Sequence, residues 1–454
     1  MHADIVVIGG GSGGYAAALR AAELGKKVVV VERDKVGGTC LHRGCVPTKA
    51  LLHVAETADA VREATAVGVL AELQGIDVAR MHAFRTDLVA KKYKGLQGLL
   101  KARGVEVITA DGRIAGPGRV LAGDQEITAA DIIVATGART RTLPNVDIGG
   151  RVLSSEEALA LEEIPARVIV LGGGVIGVEF ASLWRSLGAE VTVVEALDSL
   201  VPTEDEALRT QLARAFRRRG IQTRLGARVA SAAQDADGVT VQLEDGETLA
   251  ADYLLVAIGR VPVTAGLGLE DVGVTLERGF VVTDAELRTT APGVWAIGDI
   301  VPGPQLAHRG FQHGIQVAER IAGLSPVSVS DELVPRIVYT SPELASVGLT
   351  RAQAEERFGA AGIAVVDYNL AGNAKSEILG GGGSARVIRR VDGPVVGVHL
   401  AGPRVGELIT EAQLVIGWDA HPEDVAPFVH AHPTQSEALG EAFLALAGKP
   451  LHVL

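Results

Sequence analysis

The sequence predicts an α/β chain in which two similar strand–glycine turn–helix–strand units are followed by a smaller α+β domain. Three observations carry this expectation. Two stretches match each other 163 positions apart, with Gly9, Gly11, Gly14, Gly25 and Glu32 mapping onto Gly172, Gly174, Gly177, Gly188 and Glu195. In each stretch a short β-branched strand enters the glycines and an amphipathic or Ala-rich helix leaves them. From about Arg336 the pattern changes: Ala385 to Val391 and Pro394 to Leu400 flank Asp392-Gly393, a strong short hairpin signal, and helical patterns follow at Gly406 to Ile416 and Gln435 to Leu446.

The repeated unit has a physical reading. Its first glycine permits a tight turn, its second lets backbone approach a pyrophosphate, and its third lets helix and strand pack closely. The diphosphate lies at the helix N-terminus, where unpaired N–H groups favour negative charge. In both copies the glutamate follows the first glycine by 23 positions, the place from which a carboxylate bonds ribose hydroxyls. One such motif is weak; two at identical spacing predict two dinucleotide sites. In the second copy Glu195 repels a 2′-phosphate, and Ala196, Leu197 and Asp198 offer no positive charge, so NAD is favoured over NADP. Ile132 to Gly137 and Leu254 to Gly259 are strand-then-glycine segments, one downstream of each unit. Taken singly, each reads as a buried strand ending in a turn. Val294 to Asp299 resembles them but ends in a carboxylate able to bond a ribose or ribityl hydroxyl.

Composition narrows the function classes. With 22% charged and 47% apolar residues the chain belongs among folded globular proteins, and 454 residues suffice for two to four domains. The 56 glycines, against roughly 7% of residues in average proteins, suit close backbone approach to ligands. A net charge of −12 without a basic stripe interleaved with aromatics argues against nucleic acid. The chain opens on a strand pattern, Ala3 to Ile8, with no secretory signal, and the long apolar stretch Val168 to Trp184 is interrupted by glycines and Glu179. No membrane contact and a cytoplasmic address are therefore expected.

Cys40 and Cys45 are the only cysteines. A disulfide closing so small a loop adds little stability, so the pair reads as redox-active, or as half of a metal site with His42. Pro47 suits the first turn of a helix running on through Ala55, which puts Cys45 at a helix N-terminus, where a thiolate is stabilised. Near the end, His432 and Glu437 are spaced as a base and its orienting carboxylate. A helix-capping segment, or a metal half-site through His430, reads the same residues equally well.

Together these motifs resemble the FAD-dependent pyridine nucleotide–disulfide oxidoreductases of class I. The likeness spans nearly the whole chain: both glycine fingerprints, the CxxxxC segment, Thr290 to Asp299, and His430 to Glu437. The resemblance implies two Rossmann-like domains, for FAD and NAD, and a C-terminal α+β dimerisation domain. The implied division is 1–145 and 267–335 for FAD, 146–266 for NAD and 336–454 for dimerisation. It implies that Cys40 is the exposed interchange thiol and Cys45 the thiol touching the flavin. FAD contacts are implied from Gly9, Gly11, Gly14, Glu32, Lys49, Gly112, Thr136, Gly137, Asp299 and Ala307. NAD contacts are implied from Gly172, Gly174, Gly177, Glu179, Glu195 and Gly259. His432 and Glu437 would serve the active site of the other chain of a homodimer.

The activity implied is oxidation of protein-bound dihydrolipoamide by NAD⁺. Its partners would be the lipoyl domains of 2-oxoacid dehydrogenase complexes or the glycine-cleavage carrier protein. The competing readings are a related disulfide or quinone reductase on the same scaffold and a non-catalytic FAD- and NAD-binding subunit. Glu195 without following arginines speaks against glutathione-type reductases, and the absence of thiols after Cys45 against mercuric-ion and large thioredoxin reductases. An intact pair speaks against soluble transhydrogenases, and also against a pure scaffold. The chain departs from commoner members at Thr48, at His42-Arg43 between the cysteines, and at Gln312-His313.

Overall fold

The computed structural model describes residues 1–452. In the first unit, β1 (His2–Ile8) runs through Gly9 to Gly11 into α1 (Ser12–Glu23) and back through β2 (Val28–Glu32). The short helix α2 (Gly38–His42) follows, then the 19-residue α3 (Cys45–Glu63) and the 25-residue α4 (Val78–Ala102). Strands β3 (Glu106–Thr109), β4 (Gly112–Gly116), β5 (Arg119–Ala122) and β6 (Gln125–Val134) complete one sheet in the order β3-β2-β1-β6-β5-β4. The strand Val294–Ala296, far along the chain, returns to pair parallel with β6. β1 pairs parallel with both neighbours, Val6 facing Val29 on one side and Ile132 on the other. Ile5, Val6, Val7 and Ile8 are all buried, the continuous apolar run of a parallel strand covered on both faces.

The second unit repeats this order. Its central strand Arg167–Leu171 lies between Glu190–Glu195 and Tyr253–Val256, with Gln222–Leu225 and Val152–Leu153 at the edges. The helix Val175–Leu187 occupies the place of α1. In both sheets the chain leaves the central strand one way and later returns on its other side. That reversal opens a crevice beyond the carboxyl ends of the strands, where the glycine turns lie. The sequence repeat is therefore also a repeat of topology.

The C-terminal module is a five-stranded antiparallel sheet ordered Arg336–Val338, Glu343–Gly348, Val395–Gly402, Ser384–Arg390, Ile363–Asn369. The hairpin expected around Asp392-Gly393 is present, with Asp392 in the left-handed region at φ 52°. The helix Glu437–Leu446 lays Ala438, Leu439, Ala442 and Phe443 against Ala385, Val387, Val398 and Leu400.

Two packings position the site. α1 crosses the helix Ala307–Ile321 so closely that a Cβ on Gly314 would lie 2.4 Å from the Gly13 carbonyl oxygen. Leu51, Leu52 and Ala55 of α3 share a core with Val178, Ala181 and Leu183 of Val175–Leu187. No helix among the described residues is long and apolar enough to cross a membrane.

Phe216 is fully buried in that second core with Leu208 and Leu212. Phe216→Ala is expected to cost about 3–5 kcal/mol through lost transfer energy and a residual cavity. Urea unfolding checks this: the midpoint falls while the slope of the transition is unchanged.

Candidate active site

Both glycine turns solve one packing problem with the same atoms. Gly9 stands at φ 100° and Gly172 at φ 109°, a region costly for residues with a Cβ. A Cβ on either would lie 2.4 Å from the carbonyl oxygen of Ala135 or Ala257. These carbonyls belong to the two strand-then-glycine segments, so each segment closes the turn of its own unit. Gly14 and Gly177 leave no room for a Cβ either, each meeting a glycine carbonyl at 1.9 Å. Gly11 and Gly174, by contrast, face open space. They line one cavity of about 1990 Å³ that runs from the first glycine turn past the cysteines to the second.

The sulfur pair sits on this cavity wall. Cys40 lies in α2 and Cys45 is the first residue of α3, both as free thiols. The Cys45 thiol is lowered to about 7, first by a hydrogen bond from Cys40 and then, against burial, by the charge of Lys49 and a backbone N–H. Cys40 is raised by the bond it gives to Cys45 and by burial. The reduced pair is thus polarised, with Cys45 the thiolate. Exposure runs opposite to expectation, Cys45 being exposed and Cys40 half-buried. Both line the cavity, Cys40 from α2 and Cys45 from the first position of α3.

Lys49, one turn into α3, ties the two units together. Its Nζ donates to Glu179 Oε2 at 2.7 Å and lies 4.5 Å from the Tyr339 ring centre. Glu179 is 3% exposed, and its Oε1 accepts from Tyr339 N–H at 3.1 Å. Both Glu179 oxygens are therefore engaged within the protein. Glu179 lines the cavity and anchors Lys49, and with two bonds accepted its carboxylate keeps about two lone-pair sites, as Glu32 and Glu195 do. Tyr339 was invisible to sequence reasoning, because it stands 160 residues from Glu179 and only folding joins them.

His432 and Glu437 lie outside the cavity of their own chain. His432 Nδ1 pairs with Glu437 Oε1 at 2.8 Å, and the His432 side chain is 73% exposed. Burial would raise the Glu437 carboxyl, but Thr434 N–H and His432 outweigh it and hold the carboxyl low. The base–orienter couple thus exists, pointed at solvent. His430 is separately bonded to Glu411 at 2.8 Å, and no group of metal-ligating side chains forms among the described residues.

Comparisons with known proteins bear on this geometry. A family model described as "Pyridine nucleotide-disulphide oxidoreductase" matches residues 3–314, and one for the dimerisation domain of that family matches 334–443. The chain belongs to the pyridine nucleotide-disulphide oxidoreductases. Dihydrolipoyl dehydrogenases of Bacillus subtilis and Thermus scotoductus are each 39% identical to it, over 99% of both chains. Among solved structures, LpdA from Mycobacterium tuberculosis superposes with a TM-score of 0.91 at 30% identity, covering 97% of this chain and 99% of that one. The Cu(II) complex of the HOCl-induced flavoprotein disulfide reductase RclA from Escherichia coli gives 0.88 at 28%, covering 98% and 99%.

As an oxidoreductase of this family the chain uses FAD and NAD, and the residues present fit both. Gly9, Gly11, Glu32, Gly112, Thr136, Gly137, Asp299 and Ala307 line the part of the cavity beside the first unit, and Gly172, Gly174, Glu195 and Gly259 the part beside the second. Gly14 and Gly177 stand behind it as helix–strand contacts. The Asp299 carboxylate has no hydrogen bond or ion pair among the described residues, and burial raises it against the pull of Arg260 and Arg309. That is an acceptor left for a hydroxyl. Thr136 spends its hydroxyl on Val263 O at 2.6 Å, leaving its backbone to face the cavity. Glu32 accepts from Gly10 and Asp34 N–H at 2.6 and 2.9 Å, and Glu195 accepts from Gly173 and Leu197 N–H at 2.6 and 2.8 Å. Each carboxylate has about four lone-pair sites, so two remain for ribose hydroxyls.

The departures from commoner members also resolve. Thr48 is buried and uses only its hydroxyl, donating to Gly44 O at 2.7 Å. His42 bonds Val36 O at 3.0 Å, and Arg43 pairs with Asp34 and Glu156, so the positive charge beside the sulfurs is that of Lys49. His313 is buried and lowered to about 3, by burial and then by Arg309. It is a neutral acceptor for Gly298 N–H at 3.3 Å, just before Asp299.

Two outcomes follow. Gly11→Val should leave the unfolding free energy of the flavin-free protein within about 0.5 kcal/mol, since nothing surrounds that Cβ. It should also abolish flavin retention, read from the 450 nm absorbance of the purified protein. In the reduced protein, alkylation of Cys45 by iodoacetamide should rise with pH through a midpoint near 7. Lys49→Ala should move that midpoint upward, and a Cys45 midpoint above that of an ordinary thiol would contradict the assignment.

Proposed function

We propose that this chain oxidises dihydrolipoamide to lipoamide and passes the electrons to NAD⁺. The observation that carries the reading is the Cys40–Cys45 pair on the wall of a cavity joining two glycine turns. The names of the 39%-identical relatives, dihydrolipoyl dehydrogenases over their full length, point the same way.

The residues act in order. In the oxidised state Cys40 and Cys45 form a disulfide. A dihydrolipoamide thiol gives its proton to His432 of the second copy, and the resulting thiolate attacks Cys40 Sγ. The Cys40–Cys45 bond breaks and Cys45 leaves as thiolate, the form its surroundings favour. The second lipoyl thiol then displaces Cys40 from the mixed disulfide, and lipoamide departs. Glu437 orients His432 and stabilises its protonated form. FAD held at the first glycine turn would supply a two-electron carrier between the reduced Cys40–Cys45 pair and NAD⁺. The balance is dihydrolipoamide plus NAD⁺ to lipoamide, NADH and a proton.

Other parts of the reading rest on further observations. A homodimer is supported by the match of 334–443 to the dimerisation domain and by a His432–Glu437 couple directed away from its own cavity. Lipoyl domains of 2-oxoacid dehydrogenase complexes or the glycine-cleavage carrier protein would bring the dithiol. The Glu195 carboxylate at the second turn supports NAD over NADP.

The test is direct. NAD⁺ reduction by dihydrolipoamide is measured beside NADPH oxidation by glutathione disulfide. The first should dominate, vanish in Cys40→Ser and Cys45→Ser, and fall about 10²–10⁴-fold in His432→Ala. A preference for glutathione disulfide would overturn the substrate.

A further inference from the structure

The chain carries a net charge of −12, yet α4 holds six basic residues against one acidic residue, Asp87. Arg80 pairs with Asp77 at 3.4 Å, and Arg85 bonds the Leu159 carbonyl. Lys91, Lys92 and Lys94 are exposed, and among the described residues no carboxylate lies within ion-pair distance of them. A charge run on a helix is usually a solvated face. Here its position says more.

α4 is a wall of the active-site cleft. Phe84 and Leu88 line the cavity that holds Cys40 and Cys45, and Phe84 is 46% exposed. Lys91 and Lys92 follow Leu88 by three and four positions, so they stand next to it on the helix surface, about 5–6 Å away between Cβ atoms. Tyr93 meets His42, which lies between the two cysteines, edge-on at 5.0 Å. Lys91 and Lys92 therefore sit one turn beyond the cleft wall, on a helix anchored against the redox segment itself, with Lys94 about 120° round that helix from Leu88.

We propose that Lys91, Lys92 and Lys94 form a docking rim for the acidic face of the protein that carries the dithiol; this rests on the reading of the substrate given above. An acidic partner is repelled by most of this chain. Unpaired positive charge beside the cleft lowers that repulsion where the dithiol must enter, and it orients the encounter. The rim acts on the carrier and leaves the chemistry at Cys40 untouched.

The test separates the two readings. The holoenzyme and the variant Lys91→Glu/Lys92→Glu/Lys94→Glu are assayed with free dihydrolipoamide and with a dihydrolipoylated lipoyl domain of net negative charge. The variant should keep its rate on free dihydrolipoamide within about twofold. It should lose about tenfold or more in kcat/KM on the domain at low salt, with the difference fading as ionic strength rises. The same domain without its lipoyl group should bind the wild type, but not the variant, in low-salt calorimetry. A Lys→Gln triple variant should fall in between, which guards against a folding defect from reversed charge. Equal kcat/KM on the domain for wild type and variant would overturn the rim while leaving the substrate assignment standing. Absence of wild-type turnover of free dihydrolipoamide would overturn the substrate, and the rim with it. Lysine-dependent binding of a duplex oligonucleotide in place of the acidic domain would also overturn it, identifying the face as one for phosphate backbones.

Discussion

The Lys49–Glu179 pair is the contact on which the working arrangement depends. Lys49 belongs to the helix that begins at Cys45, and Glu179 to the helix that begins just after Gly174. One 2.7 Å bond therefore fixes a sulfur and a nicotinamide turn relative to each other. A carboxylate as buried as Glu179 would cost several kcal/mol if left unpaired. Lys49 and the Tyr339 N–H offset that cost together, which also brings the C-terminal module into the bond. The same ammonium lowers the Cys45 thiol. Geometry and thiolate chemistry thus share one side chain.

Around that contact the chain uses one backbone solution twice. The turn glycines, the carbonyls of Ala135 and Ala257, and the carboxylates of Glu32 and Glu195 reproduce each other across the two units. The glutamates do more than wait for a ribose. Each accepts a backbone N–H from its own glycine turn at 2.6 Å and so holds the turn in shape. A turn held open in this way loses less entropy when a diphosphate arrives than one that must first be ordered.

Charge is distributed to match. The chain is acidic in total, while α4 holds six basic residues against Asp87. Beside the sulfurs, positive charge is compensated, Arg43 by Asp34 and Glu156 and Lys49 by Glu179. The Asp299 carboxylate has no hydrogen bond or ion pair among the described residues.

The sequence alone determined what is periodic or local. The two units, the Cys45 helix start, the Asp392 hairpin and the His432–Glu437 couple were legible because each depends on residues a few positions apart. The repeat extended this reach, since two equal spacings from glycine to glutamate leave little room for chance. Tertiary structure alone decided what is joined across the chain. It joined Glu179 to Lys49, brought Tyr339 to that pair, spent the Thr136 hydroxyl on Val263, and set a run of lysines beside the cleft. A carboxylate or a hydroxyl carries no mark of its partner in the sequence, because the partner is chosen by which strands and helices the fold brings within 3 Å. Spacing fixes a turn; only packing fixes what faces it.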